Sequence, residues 1–116
     1  MNIDANGIRI HYTLEGPAGA PVVMMSHSLA ANLSMWDPQL GVLTARYRVL
    51  RYDTRGHGGT DAPEGPYSLG QLAEDARALV QTLGIQRTSF IGLSMGSMIG
   101  QVLALTYPEM IQCLIL

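Results

Sequence analysis

The pentapeptide Gly92-Leu93-Ser94-Met95-Gly96 restricts this chain more than any other segment. It follows the short apolar run Thr88-Ser89-Phe90-Ile91 and opens an apolar helical pattern from about Met95 to Tyr107, which Pro108 stops. A strand that turns into a helix within so few residues needs glycine wherever a side chain would strike the neighbouring backbone. The residue at the apex is then held in a strained conformation. With this chain's glycine and serine content the spacing arises by chance roughly 0.08 times, so its weight comes from its place between strand and helix. The predicted result is a Ser94 hydroxyl projecting above the end of a sheet, with the first amides of the next helix facing the same space.

The remaining segments suit such a sheet. Asn6-Gly7 lies between Ile3 and the run Ile8 to Leu14, the pattern of an antiparallel hairpin. Val22-Val23-Met24-Met25 is apolar at consecutive positions, as a strand covered on both faces must be. Asp37-Pro38 reads as an N-cap followed by proline at the first helical position, opening a helix to about Ala45. Arg48 to Tyr52 is the next strand, and Thr54 to Pro63 a long loop. Ser68 with Gln71 forms a capping box for a helix whose inner face is Leu69, Leu72, Ala73, Ala76, Leu79, Val80 and Leu83. Gln112 to Leu116 begins another strand. Strand and helix in alternation imply an α/β fold: a mainly parallel sheet with helices on both faces, preceded by the hairpin. The helix after Ser94 is apolar almost all round and is expected to be largely buried.

Composition narrows the partners. Hydrophobic residues make up 47% and charged ones 14%, a core-building mixture of about one domain's length. All seven basic residues are arginine and the net charge is −2, so no basic field exists to draw nucleic acid or a membrane surface. No apolar run approaches the ~20 residues of a membrane span. Residues Met1 to Gly7 lack the features of a secretory signal, and Cys113 is the single cysteine. A cytoplasmic protein is expected.

Three segments carry candidate chemistry. Ser94 is the candidate nucleophile. Ser26-His27-Ser28-Leu29 leaves the Val22 strand at the carboxyl edge of the sheet, beside Ser94. The backbone amides of Leu29 and Met95 are therefore the candidate oxyanion hole. His27 and His57 are expected to be structural, because neither has a partnering acid placed to make it a base. Asp53 and His57, four residues apart on a loop with no third ligand, are expected to shape that loop rather than bind metal. Trp36 and Met95 are candidates to border an apolar substrate pocket. Neither metal nor cofactor is expected, and the G-x-G-x-x-G spacing of dinucleotide sites is absent from Gly92 to Gly96.

These segments, in this order, resemble the α/β-hydrolase superfamily, most of all the 3-oxoadipate enol-lactonases. The match is carried by Ser26-His27-Ser28-Leu29, Met35-Trp36-Asp37-Pro38-Gln39, Asp53-Thr54-Arg55-Gly56-His57-Gly58, Gly65-Pro66-Tyr67-Ser68, Gly92-Leu93-Ser94-Met95-Gly96, Ile99-Gly100-Gln101 and Tyr107-Pro108. The resemblance implies a serine hydrolase of small-molecule esters or lactones acting through an acyl-enzyme on Ser94. C–C hydrolase and perhydrolase chemistry on the same fold, and a non-catalytic binding module, stand as alternatives. Family members often carry a third glycine where this chain has Ser97. The family's triad runs serine, acid, histidine, with the last two after later strands.

A complete fold of this type needs about 200 residues or more. Residues 1–116 therefore read as the N-terminal, nucleophile-bearing part of a single domain, without the cap, the acid or the histidine. Such a chain is expected to be inactive or nearly so. Its Cys113–Leu116 edge is expected to be covered by the missing half or by self-association.

Overall fold

A computed structural model describes all 116 residues, Met1 to Leu116. The hairpin consists of β1 (Asn2–Ala5) and β2 (Ile8–Glu15). Asn6 at φ 52° and Gly7 at φ 77° both occupy the left-handed region that a two-residue hairpin turn demands. Four strands follow: β3 (Val22–Ser26), β4 (Arg48–Tyr52), β5 (Thr88–Gly92) and β6 (Ile111–Ile115). The six lie in the order β1-β2-β4-β3-β5-β6. β2 meets β4 antiparallel, while β4, β3, β5 and β6 are mutually parallel. Parallel pairing puts the carboxyl ends of β3, β4 and β5 on one edge, with Ser26 in register with both Tyr52 and Gly92. The loops after these strands therefore converge.

Helices cover both faces. α2 (Leu69–Thr82) and α3 (Met95–Thr106) pack over Met24, Leu50 and Phe90 through Leu72, Ala76, Leu79, Ile99 and Leu103. Each fully buried apolar side chain of this kind contributes about 1.5–3 kcal/mol. The opposite face buries Val23, Met25 and Val49 beneath Trp36, with Leu40 and Leu43 of α1 (Asp37–Leu43) packed against them. This is the α/β architecture expected, and no helix is long and apolar enough to cross a membrane.

Ser68 caps α2 as expected, its Oγ accepting the Gln71 amide at 3.1 Å. Three local expectations need correction. Asp37 does not cap α1. Its carboxylate accepts from Arg51 at 2.6 Å instead, and Asn32 caps a short 3₁₀ turn, Leu33–Trp36, that precedes the helix. That helix also stops at Leu43, two residues earlier than its pattern suggested. α3 is not largely buried. Ile99, Gly100 and Leu103 face the sheet, whereas Met98 and Leu105 are exposed, because a helix lying on one sheet rests a single face on it.

Periodicity gave no hint of an ion pair inside the core. Asp75, on the inner face of α2, receives Arg55 Nε and Nη2 at 2.8 and 2.7 Å and the Asn6 amide at 2.7 Å. All of the polar atoms that the Asp75 carboxylate brings inside are thereby engaged, as burial requires. At the far edge, β6 pairs only with β5, leaving Cys113, Ile115 and Leu116 exposed.

Candidate active site

Gly92, Ser94 and Gly96 form the tightest part of the chain. A Cβ on Gly92 would stand 2.6 Å from the amide nitrogen of Ser97, and one on Gly96 would stand 2.7 Å from the carbonyl carbon of Ser26. Both positions therefore exclude any larger residue, and the turn can pass directly from β5 over the end of β3. The Leu93 amide ties it there, donating to the Ser26 carbonyl at 3.2 Å. Ser94, at the apex, takes φ 54° and ψ −113°, a region that costs an L-residue of order 1–3 kcal/mol and persists only where the surroundings impose it.

A serine at a helix N-terminus ordinarily caps it. Ser94 stands at that position and makes no side-chain cap bond. Its residue is exposed at the carboxyl edge. The Met95 amide directly after it donates to no protein acceptor, and neither does the Leu29 amide on the loop from β3. An exposed hydroxyl and two uncommitted amides thus lie on loops leaving the neighbouring ends of β3 and β5. Ser97 directs its hydroxyl back to the Gly92 carbonyl at 3.1 Å, bracing the turn from inside.

The sequence model of the alpha/beta hydrolase fold matches residues 21–116. The chain is 42% identical over 107 residues to 3-oxoadipate enol-lactonase 2 of Acinetobacter baylyi, covering 92% of this chain and 40% of that protein. It is 35% identical over 117 residues to epoxide hydrolase 4 of Mus musculus, covering 99% of this chain and 33% of that one. Among solved structures, the enol-lactonase from Burkholderia xenovorans LB400 superposes with a TM-score of 0.96 at 44% identity, covering 98% of this chain and 45% of that one. The chain belongs to the α/β-hydrolase fold family. It spans less than half the length of these relatives.

Within this α/β-hydrolase chain no histidine serves Ser94. His27 is buried. Its Nε2 accepts the Thr54 amide at 2.9 Å and its Nδ1 lies 2.8 Å from the Ser28 carbonyl, so the ring is neutral with the proton on Nδ1. Burial pushes its pKa below the usual histidine value, outweighing the Ser28 carbonyl, which acts in the opposite direction. His57 accepts the Ala30 amide at 3.1 Å, and its Nδ1 faces the Arg55 carbonyl at 3.1 Å. His11 sits on the hairpin beside Asn2.

Asp53 is equally occupied. Its carboxylate accepts the Leu33 amide at 2.7 Å and the Gly59 amide at 2.8 Å, stitching the β4 loop to the 3₁₀ turn. Among all residues, no group of three or more His, Cys, Asp or Glu is arranged to hold a metal ion. Trp36 lies beneath α1, on a cleft of about 330 Å³ that it shares with Met25, Pro38, Val42 and Ile91. Its ring is buried against the sheet, a core position on the face that α1 covers. Met95 is half-buried at the edge of the main core.

Proposed function

We propose that this chain supplies the nucleophile half of a serine hydrolase of carboxylic esters or lactones, of the 3-oxoadipate enol-lactonase kind. The observation that carries this reading is Ser94: an exposed, uncapped hydroxyl held at φ 54° and ψ −113° by two glycines that tolerate no side chain. Ser94 Oγ would attack the acyl carbonyl carbon. The developing oxyanion would take hydrogen bonds from the amides of Leu29 and Met95, which no protein acceptor engages. The leaving oxygen departs with a proton, and water then attacks the acyl-enzyme, returning the hydroxyl to Ser94. The lactonases among its relatives support the substrate class.

A serine hydroxyl needs an adjacent base to attack at neutral pH. His27 and His57 both spend Nε2 on backbone amides, so the base and its acid belong, in this reading, to a part of the protein outside these 116 residues. The 116-residue chain alone then turns over ester at a rate lower by about 10⁴-fold or more than the complete enzyme. In the same reading the open β6 edge receives a further strand, either from that part or from a second copy, and the protein is cytoplasmic.

The deciding experiment is Ser94→Ala in the longest expressed form of the protein, assayed on aryl esters and small lactones. Loss of turnover by about 10⁴-fold or more supports the assignment, and unchanged turnover overturns it. A fluorophosphonate probe offers an independent check, since labelling must map to Ser94 and vanish in that variant.

A further inference from the structure

The two histidines that do not serve Ser94 are linked in a way that bears on it. The loop after β3 sends His27 to accept the amide of Thr54, in the loop after β4. The loop after β4 sends His57 back to accept the amide of Ala30, in the loop after β3. A backbone amide only donates, so each Nε2 presents a bare lone pair and each Nδ1–H donates to a carbonyl of its own loop. The two rings lie 5.1 Å apart at 50°, each loop lending one imidazole to the other's backbone.

The residue clasped by His57 is the strained one. Ala30 has φ 60°, in the left-handed region that a residue with a Cβ adopts only under constraint. Ala30 is exposed, so apolar packing supplies little of that constraint. It also directly follows Leu29, whose amide is uncommitted. We infer that His57 is a positioning residue: by accepting the Ala30 amide it holds the bend that aims the Leu29 N–H into the reaction space above Ser94. This inference rests on the function proposed above. It adds that the neutral state of His57 is a condition of oxyanion binding.

Protonation of His57 at Nε2 would set a donor against the Ala30 donor and release the bend. His27 lies against His57, ring to ring. Asp53, in the same loop, is already held by the Leu33 and Gly59 amides. The Arg55 guanidinium turns away to Asp75.

The test uses the longest expressed form of the protein, labelled with ¹⁵N. An N–H···N hydrogen bond transmits a scalar coupling, so Ala30 N and His57 Nε2 should be coupled at neutral pH. The same coupling between Thr54 N and His27 Nε2 reports that the fold is intact. In His57→Phe the Leu29 amide should shift at every pH. In His57→Gln, whose Oε1 still accepts, it should stay near its original position.

In the complete enzyme, His57→Phe should lower kcat by about 10²-fold with KM little changed, and His57→Gln should recover most of the loss. An intact Thr54–His27 coupling without an Ala30–His57 coupling would overturn the inference. So would a Leu29 amide indifferent to His57→Phe. If both couplings behave as expected while Ser94→Ala leaves turnover unchanged, the proposed function fails and the clasp stands.

Discussion

Gly96 lies against the carbonyl of Ser26 so closely that the sheet and the helix after Ser94 meet without an intervening side chain. A methyl group there would stand 2.7 Å from the Ser26 carbonyl carbon, so either α3 or the end of β3 must move. Gly96→Ala should therefore destabilise the chain by about 1–3 kcal/mol, measured by chemical denaturation. Because displacement of α3 also moves the Met95 amide, fluorophosphonate labelling of Ser94 should fall when the same substitution is made in the complete enzyme.

Arg55 and Asp75 form a buried pair whose side chains are 7% and 3% exposed. The bond to Asp75, more than any other influence, raises the guanidinium's pKa, which keeps Arg55 charged. Arg55→Met leaves the carboxylate uncompensated and should cost about 3–5 kcal/mol. Arg55→Met combined with Asp75→Leu should restore a large part of that loss, since the buried charge is then gone. Urea midpoints for the two variants decide this.

Tyr52 shares a buried hydrogen bond with Ser26, 3.0 Å between oxygens, at the carboxyl ends of β4 and β3. Burial pushes its pKa from 10.0 up to about 12. The unfolded chain thus loses this proton first, and the stability tied to Tyr52 is complete below pH 10 and lost as pH rises from there toward 12. Denaturation midpoints measured from pH 9 upward should fall less steeply in Tyr52→Phe. That variant should itself be weaker at neutral pH by about 1–3 kcal/mol, with the Ser26 hydroxyl left unpaired.

His27 gives the opposite pH dependence. Desolvation lowers its pKa in the folded chain, so the unfolded chain binds the proton first as pH falls through 6.5. Stability is full above that pH and declines below it, and protonation also breaks the bond to Thr54. Replacing the ring by His27→Gln should flatten the acid limb of a stability-versus-pH curve recorded between pH 8 and pH 5. An unchanged limb would assign the acid sensitivity to another group.

Ser97→Gly removes the bond to the Gly92 carbonyl. One hydrogen bond is lost and helix entropy rises, so a loss of about 1–2 kcal/mol is expected. In the complete enzyme, labelling at Ser94 should persist, because the glycines that shape the turn remain.

Much of the fold could be read from short stretches of chain. Asn6-Gly7, the consecutive apolar positions of Val22 to Met25 and the cap at Ser68 each specify an element through contacts within a few residues. The cap expected at Asp37 failed because its carboxylate found a stronger partner, Arg51, fourteen residues away. The candidate site was legible in the same way where it depends on backbone sterics, at Gly92, Ser94 and Gly96. It was not legible where it depends on what the loops exchange, as with His27 and Thr54.

The sequence by itself determined the strained serine turn, the parallel strands beneath it and the edge to which their loops lead, because steric exclusion and periodicity act between near neighbours. Only the tertiary structure decided which polar groups are spent on one another. Asp75 takes Arg55 and Asn6, which is 69 residues distant, His57 takes Ala30, and the outer face of α3 stays bare. Burial removes water as a partner, so a buried charge is met by whatever the fold brings within 3 Å or so, and spacing along the chain carries no record of that choice.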